Sequence, residues 1–169
     1  MFTRAPFLLA ILGMIGGVFI AILFAVNEDM FRSRIENGLA HNAKVQQIVD
    51  PTEKAAKVAA ETEKTWRYYQ RFHFHATGIG AMMMALLLFL RQLAAPRRAV
   101  LTASWMVSVG GFLYPFVWLF AALYGPQMGR AEAKEAFAIF GYMGGLFLVG
   151  GLLTLALAGR YRLRGDAPA

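Results

Sequence analysis

Residues 50–80, DPTEKAAKVAAETEKTWRYYQRFHFHATGIG, decide the fold that the sequence predicts. Asp50 and Pro51 form a helix start, because Asp50 can cap the first turn and Pro51 stands where no amide partner is needed. No further proline or glycine follows until Gly78. The pattern therefore predicts one long helix that begins near Pro51 and continues into the apolar sequence after Phe72.

Four apolar runs indicate a membrane protein. The chain of 169 residues is 58% hydrophobic and 16% charged, which is too apolar for an ordinary soluble domain. The cores of the runs lack Asp, Glu, Lys and Arg, and each reaches the roughly 20 residues that a helix needs to span hydrocarbon. We expect an all-α integral membrane protein with four transmembrane helices, at residues 1–26, 72–93, 100–124 and 137–158.

The distribution of basic residues predicts the orientation of these helices. Arginines are concentrated at residues 91–98 and in the tail at residues 159–169, whereas residues 125–135 carry balanced charge. By the positive-inside rule, we expect a bacterial inner-membrane protein with both termini cytoplasmic and residues 27–71 outside. The net charge of +7 is then a topology signal, so we expect no nucleic-acid partner. The lack of cysteine excludes disulfides and thiol chemistry.

Residues 27–71 carry apolar side chains at alternating steps of three and four, the spacing of a coiled-coil seam. Folding this segment about a tip at residues 50–51 predicts a long antiparallel helical hairpin. A seam this thin is weak by itself. We expect a homo-oligomer, another membrane or periplasmic subunit, or docking onto the loop after the third span to complete it. The facing residues in this register are Val45 with Ala55, Asn42 with Ala59, Gly38 with Thr62, Ile35 with Trp66, Phe31 with Tyr69, and Glu28 with His73.

Two of the three histidines lie where the polar sequence meets the second span. On a helix His73 and His75 point about 200° apart, so they cannot bind one ion from the same face. His73 shares its face with small residues and should point into the bundle, whereas His75 should face lipid or another subunit. The remaining histidine, His41, should lie roughly 20 Å from His73 by the helical rise.

His73 is therefore the candidate ligand for a metal ion or for haem b. Glu28 would orient its imidazole ring, and Met143 could be the second axial ligand. Tyr114 belongs to an aromatic group that could line a quinone pocket. The alternatives are a Glu28 to His73 hydrogen bond without any cofactor, and ordinary packing of the aromatic rings. The cofactor remains unknown at this stage.

The sequence contains no enzyme motif and no charged side chain within the spans, which disfavours catalysis and ion-coupled transport. We expect a non-catalytic membrane subunit that docks partners through the hairpin, in an electron-transfer complex with a haem or quinone site near His73. A periplasmic signal sensor that acts through a separate effector, and a small-molecule transporter, are the alternatives. The candidate partner-binding residues are Ile35, Trp66, Tyr69 and His75.

Overall fold

The computed structural model describes residues 4–165. This part of the chain consists of α-helices joined by short connections. Four helical segments are long and apolar enough to cross a membrane: Ala5–Val26, Pro51–Gln92, Arg97–Met128 and Ala138–Arg160. The prediction of an all-α chain with four apolar helices is confirmed. The helices are α1 (Ala5–Val26), α2 (Glu28–Ala40), α3 (Ala43–Gln46), α4 (Pro51–Gln92), α5 (Arg97–Leu113), α6 (Phe116–Met128), α7 (Arg130–Ala136) and α8 (Ala138–Arg160).

Helix α4 is a single helix of 42 residues, as the sequence predicts. The Asp50 side chain accepts a hydrogen bond from the Glu53 amide at 2.7 Å, and Pro51 occupies the first turn. We call residues 51–71 the polar half of α4 and residues 72–92 its apolar half. Because the helix is unbroken across both halves, the two histidines near its middle point in different directions.

Glycines allow α1 to approach the apolar half of α4 closely. A Cβ atom added at Gly17 would lie 2.8 Å from the Thr77 amide nitrogen, and one added at Gly80 would lie 3.0 Å from the Met14 amide nitrogen. The first separation is too short for a real Cβ contact, and the second is tighter than most such contacts. These positions therefore require glycine, as is common where membrane helices pack backbone to backbone.

The third apolar segment is interrupted, as expected from Pro115. Helix α5 ends at Leu113, and α6 begins at Phe116 after a turn. The segment also continues beyond the predicted boundary at residue 124, since α6 extends to Met128. Gly129, with a φ of 106°, then turns the chain into α7. A side chain other than glycine would be strained in this left-handed backbone conformation.

The connection between α2 and α4 differs from the predicted continuous helical arm. Helix α2 ends at Ala40, and only the short α3 follows before α4. The Asn42 side chain accepts a hydrogen bond from the Lys44 amide and donates one to the Pro126 carbonyl of α6 at 2.8 Å. An Asn side chain that caps a new turn competes with continuation of the helix, which explains the break. The predicted pairing of Asn42 with Ala59 is therefore wrong.

Docking onto the end of the third span is the stabilising contact that the structure shows for α2 and α3. A Cβ atom added at Gly38 would lie 2.7 Å from the Pro126 Cβ atom, so this glycine lets α2 approach α6. Lys44 also forms an ion pair with Glu132 of α7. These contacts replace the predicted position of Gly38 opposite Thr62.

The largest buried cluster joins α1, α2, α3, α4 and α6, so its core extends beyond the two-helix seam that the sequence predicts. At the opposite end of the molecule, the Ala94 amide donates to the Arg162 carbonyl at 2.9 Å and ties the chain after α8 to the α4–α5 connection. Residues 1–3 and residues 166–169 of the predicted tail lie outside the described range. The buried residues of the large cluster are Ile20, Phe31, Ile35, Leu39, Val45, Trp66, Tyr68, Tyr69, Phe72, Ala76, Ala121 and Ala122.

Candidate functional site

His73 faces α1, in the inward direction that its neighbours in the sequence predict. Its Nδ1 atom lies 2.8 Å from the carbonyl oxygen of Gly17. Phe24 packs against the imidazole with the two ring centroids 6.5 Å apart. Because a carbonyl can only accept, Nδ1 is the donor in this hydrogen bond, and in a neutral imidazole Nε2 is then the acceptor.

Glu28 does not pair with His73, contrary to the predicted register. The Glu28 carboxylate accepts a hydrogen bond from Arg32 Nε at 2.6 Å, one turn further along α2. Arg32 also donates to Glu63 of α4 at 2.7 Å, and hydrogen bonds to Glu63 and Glu28 raise the pKa of the Arg32 guanidinium. An arginine one helical turn away is a stronger partner for Glu28 than an imidazole that already donates to a carbonyl.

His75 contacts the third apolar segment and remains partly exposed, so its contact with lipid or another subunit stays a prediction. Its ring centroid is 5.5 Å from that of Tyr114 and 5.9 Å from that of Trp118. Its Nδ1 atom is 2.7 Å from the Arg71 carbonyl oxygen, within the same helix. The aromatic side chains on either side of the turn at Pro115 therefore contact the His75 ring, which the sequence of α4 alone could not show.

The structure does not bring the predicted haem or quinone residues together. Met143 lies on α8, where its carbonyl oxygen would be 2.7 Å from a Cβ atom added at Gly110, whereas the His73 ring nitrogen contacts α1. Tyr114 packs on His75 instead of His73. Within residues 4–165, no group of three His, Cys, Asp or Glu side chains could hold a metal ion.

The predicted partner-binding aromatic residues lie inside the chain. Phe31 and Tyr69 pack with ring centroids 5.1 Å apart, which confirms that part of the register. Ile35 and Trp66 belong to the same buried cluster as this pair. Tyr69 is 1% exposed and Ile35 is 0% exposed, and residues of α1 and α6 belong to the cluster that covers them together with Trp66. A role of these three residues in partner binding stays a prediction, and this burial does not support it.

A buried ion pair between α4 and α7 is the site that the sequence reasoning missed. Glu61, only 9% exposed, lies with Oε2 2.5 Å from Arg130 Nε. Lys57 and Lys64 each place Nζ 3.5 Å from Glu61 Oε1. The spacing of Glu61 to these lysines predicts a charged helix face. It gives no sign of Arg130, which is 69 residues away in the chain.

The electrostatics of this pair favour the ionised carboxylate. Burial raises the pKa of the Glu61 carboxyl, but the hydrogen bond from Arg130 and the charges of Arg130, Lys64 and Lys57 lower it, so that it lies below its ordinary value of 4.5. The hydrogen bond to Glu61 likewise raises the pKa of the Arg130 guanidinium. A cavity of about 170 Å³ lies beside the pair, between α3, α4 and α7, and side chains of both charges line it.

A second group of side chains lies next to Arg130, and we call it the cation–aromatic cluster: Tyr68, Arg71, Trp118 and Lys134. The Arg71 guanidinium carbon is 4.8 Å from the Trp118 ring centroid, and Lys134 Nζ is 5.0 Å from that of Tyr68. Burial raises the pKa of the Tyr68 phenol, but hydrogen bonds from Lys134 and Arg130 lower it, and the net result is a lowered pKa. From the sequence, Trp118 belongs to the same aromatic group as Tyr114, which could line a quinone or lipid pocket or form an interfacial belt, and nothing there indicates Arg71 or Lys134 as its neighbours.

Comparison of the chain with models of protein families, with curated proteins and with solved structures finds no match. The function is therefore inferred from the structure of the chain alone. This structure offers two features outside the apolar helices: α2, α3 and the polar half of α4 packed onto α6 and α7, and the cation–aromatic cluster beside them.

Proposed function

We propose that this protein is a non-catalytic integral membrane subunit that docks a partner protein through a hairpin outside the membrane. The hairpin consists of residues 27–71, with its tip at residues 50–51. The observation that carries the proposal is the exposure of the start of α4. Between Pro51 and Ala60, eight of ten residues are exposed, so most of this part of the helix surface is not covered by the described chain.

A helix end that packs against little of its own chain suggests that another protein surface packs against it. The reason is that a short helix without packing is only marginally stable in water. The adjacent Val49 is 95% exposed. Four exposed alanines follow, which leave a smooth apolar surface where a second helix or a protein face could approach closely. The proposed docking surface consists of Val49, Ala55, Ala56, Ala59 and Ala60.

The remainder of the hairpin is fixed in place, which supports a docking role. The Glu61 to Arg130 ion pair joins α4 to α7, and the Asn42 to Pro126 hydrogen bond joins the α2–α3 turn to α6. A preorganised element loses less conformational entropy when a partner binds. The hairpin would therefore present its tip in one orientation.

Site-specific photo-cross-linking in the native membrane tests this proposal. We expect a photoreactive residue at Val49 or Ala56 to give one discrete protein adduct. Gln127, which is also exposed but belongs to α6, is the matched control and should give none. Ala59→Glu should weaken the adduct, since it places a charge in the docking surface. Absence of any adduct from both tip positions in correctly inserted protein contradicts the proposal, and an adduct of twice the chain mass identifies the partner as a second copy.

One feature supports a place for this subunit in an electron-transfer complex. His73 retains Nε2 as an acceptor, which is the ring atom that a haem iron would need. Neither Glu28 nor Met143 is placed to assist it, so a haem here would take its second axial ligand from another chain. The visible absorption spectrum of the protein purified with its partner is the test. A Soret band that His73→Ala abolishes and His75→Ala preserves supports this extension, and a featureless spectrum removes it.

A signal sensor that acts through a separate effector is the second candidate. The cavity of about 170 Å³ favours it, because Lys57 and Arg130 line one cavity together with Glu61 and Glu132. Such a lining suits a small zwitterion, whose two charges could each find an opposite charge. Thermal unfolding of the purified protein with and without single amino acids is a direct test. Stabilisation by one amino acid that is lost in Lys57→Gln favours the sensor.

A further inference from the structure

The cation–aromatic cluster lies at the boundary between charged and apolar sequence. Arg71 is the last charged residue of the polar half of α4, and the uncharged run begins at Phe72. Trp118 contributes from α6 and Lys134 from α7. If α4 spans a bilayer, these side chains lie at the level of the lipid headgroups, where Trp, Tyr and basic residues are enriched.

The two cations of the cluster, Arg71 and Lys134, have no carboxylate partner within the described part of the chain. Within residues 4–165, the ion pairs of Asp and Glu join them to Arg32, Lys44, Lys57, Lys64 and Arg130, and neither Arg71 nor Lys134 takes part. Both cations instead lie over the same two rings. Arg71 is 5.6 Å from the Tyr68 centroid, and Lys134 is 5.4 Å from that of Trp118. Both positive charges therefore lie at one pair of aromatic rings, and they would attract an anion to this part of the surface.

The cluster also contains an unused hydrogen-bond donor, and an open space borders it on the side of Tyr68 and Lys134. Trp118 Nε1 is buried and has no hydrogen-bond partner in the described chain, although a buried indole N–H usually finds one. A cavity of about 270 Å³ is lined by Tyr68, Arg130, Ala131 and Lys134. This is room for several water molecules, and it suffices for a phosphate group.

An apolar stripe continues from the cluster along the same face of α4. His75 lies one turn below Arg71, and Met82 and Phe89 follow at helical spacing. Met82 is 49% exposed and Phe89 is 39% exposed, so the structure leaves this stripe uncovered. Helix α8 packs mainly on α5 and does not close it. An acyl chain could lie along this stripe while its headgroup occupies the cluster, which favours a lipid over a free phosphate.

We propose that the cation–aromatic cluster is a binding site for an anionic phospholipid, with the phosphate held by Arg71 and Lys134 and the acyl chains along the apolar stripe of α4. In this proposal the buried Trp118 Nε1–H, which has no hydrogen-bond partner within residues 4–165, donates to a phosphate oxygen or to the glycerol ester when the lipid is bound. The site is independent of the hairpin tip. It can therefore be correct or wrong whatever partner the tip binds.

Native mass spectrometry of the full chain in detergent tests the site, with phosphatidylglycerol, phosphatidylcholine and inorganic phosphate as separate probes. We expect the chain to retain phosphatidylglycerol in preference to phosphatidylcholine. The double variant Arg71→Gln/Lys134→Gln should lose roughly tenfold or more in affinity for phosphatidylglycerol, because juxtamembrane basic residues contribute strongly to anionic lipid binding. The matched control, Arg34→Gln/Lys57→Gln, removes two exposed charges away from the cluster and should retain the preference.

A conservative variant keeps the test valid if the double variant folds poorly. Trp118→Phe removes the indole N–H but retains the ring under both cations, and it should weaken phosphatidylglycerol binding a few-fold with an unchanged helical circular dichroism spectrum. Equal retention of the two lipids by the native chain overturns the proposal. It is also overturned if inorganic phosphate displaces the lipid at matched concentration, or if the control variant loses as much affinity as the double variant.

Discussion

Glu61 of α4 and Arg130 of α7 form an ion pair with 2.5 Å between Oε2 and Nε, across 69 residues of sequence. The Glu61 side chain is 12% exposed and that of Arg130 is 33% exposed. The pair lies beside the Asn42 to Pro126 hydrogen bond, which joins the α2–α3 turn to α6. Together these contacts hold α2, α3 and the polar half of α4 against the outer ends of α6 and α7.

Removal of Arg130 should loosen this attachment. Arg130→Ala leaves the Glu61 carboxylate partly buried with only the two more distant lysines, and we expect a loss of about 1 to 3 kcal/mol in the free energy of unfolding. Amide hydrogen exchange should rise across residues 43–65 and change little in the apolar helices. Lys57→Ala is the control, because an exposed pair at 3.5 Å should be worth less than about 1 kcal/mol. Equal effects of the two variants would show that the Arg130 contact has no special role.

Acidification should release the same attachment. The pKa of Glu61 in the folded chain lies below its ordinary value of 4.5, so its contribution to stability is complete above that value and is lost as the pH falls through the lowered folded pKa. Thermal unfolding followed from neutral pH downward should show a fall in the midpoint temperature in that acidic range. Glu61→Gln should be less stable at neutral pH and should show a smaller fall. A variant that follows the native pH profile would contradict the assignment to Glu61.

The parts of this architecture that the sequence predicts are local. Asp50 and Pro51 determine where α4 begins through contacts within its first turn. Phe31 and Ile35, one helical turn apart, determine which face of α2 is buried. The contacts that sequence reasoning missed are distant in the chain, such as Glu61 with Arg130 and His75 with Trp118. Helical periodicity defines a face of one helix, but it does not identify the helix that covers it.

Glu28 shows a different reason for a wrong prediction. The register places Glu28 near His73, and periodicity alone supports that pair. Arg32 and His73 are the two candidate partners of the Glu28 carboxylate. Arg32 is favoured because it lies one turn away and also donates to Glu63, 31 residues further along the chain. A guanidinium with two carboxylate partners is favoured over an imidazole, whose donor already has a carbonyl. Pairing by geometry must therefore be checked against the stronger partners nearby.

Trp66→Ala should cost more than a thin two-helix seam would suggest. The Trp66 ring packs on Phe24 with centroids 4.9 Å apart and on Phe31 at 6.1 Å, and α6 closes the cluster. We expect a loss of about 3 to 5 kcal/mol, as for a large side chain in a full core. Val49→Ala is the control and should be nearly neutral, since that side chain is exposed. Denaturant unfolding followed by circular dichroism measures both, and a cost below about 1 kcal/mol for Trp66→Ala contradicts the burial.

The orientation across the membrane can be tested directly, because the chain contains no cysteine. We expect an impermeant thiol reagent added outside intact cells to label Lys57→Cys, which lies on the hairpin. Arg98→Cys, which lies on the opposite side of the apolar helices, should be labelled only after the membrane is disrupted. Both positions are exposed, so accessibility within the protein does not distinguish them. The reverse labelling pattern would invert the proposed topology.

His73 and His75 stabilise different helix contacts, so their alanine variants should weaken different interfaces. His73→Ala removes the hydrogen bond to the Gly17 carbonyl, and we expect a cost of about 1 kcal/mol located between α1 and α4. His75→Ala removes the ring contacts with Tyr114 and Trp118, and it should cost about 0.5 to 1.5 kcal/mol between α4 and the third apolar segment.

Disulfide trapping separates the two effects. A cysteine pair at Gly13 and Ala76 reports on the first interface, and one at Ile79 and Gly111 reports on the second. His73→Ala should alter the rate of cross-linking only in the first pair and His75→Ala only in the second. The opposite result would show that the two rings point to each other's neighbours.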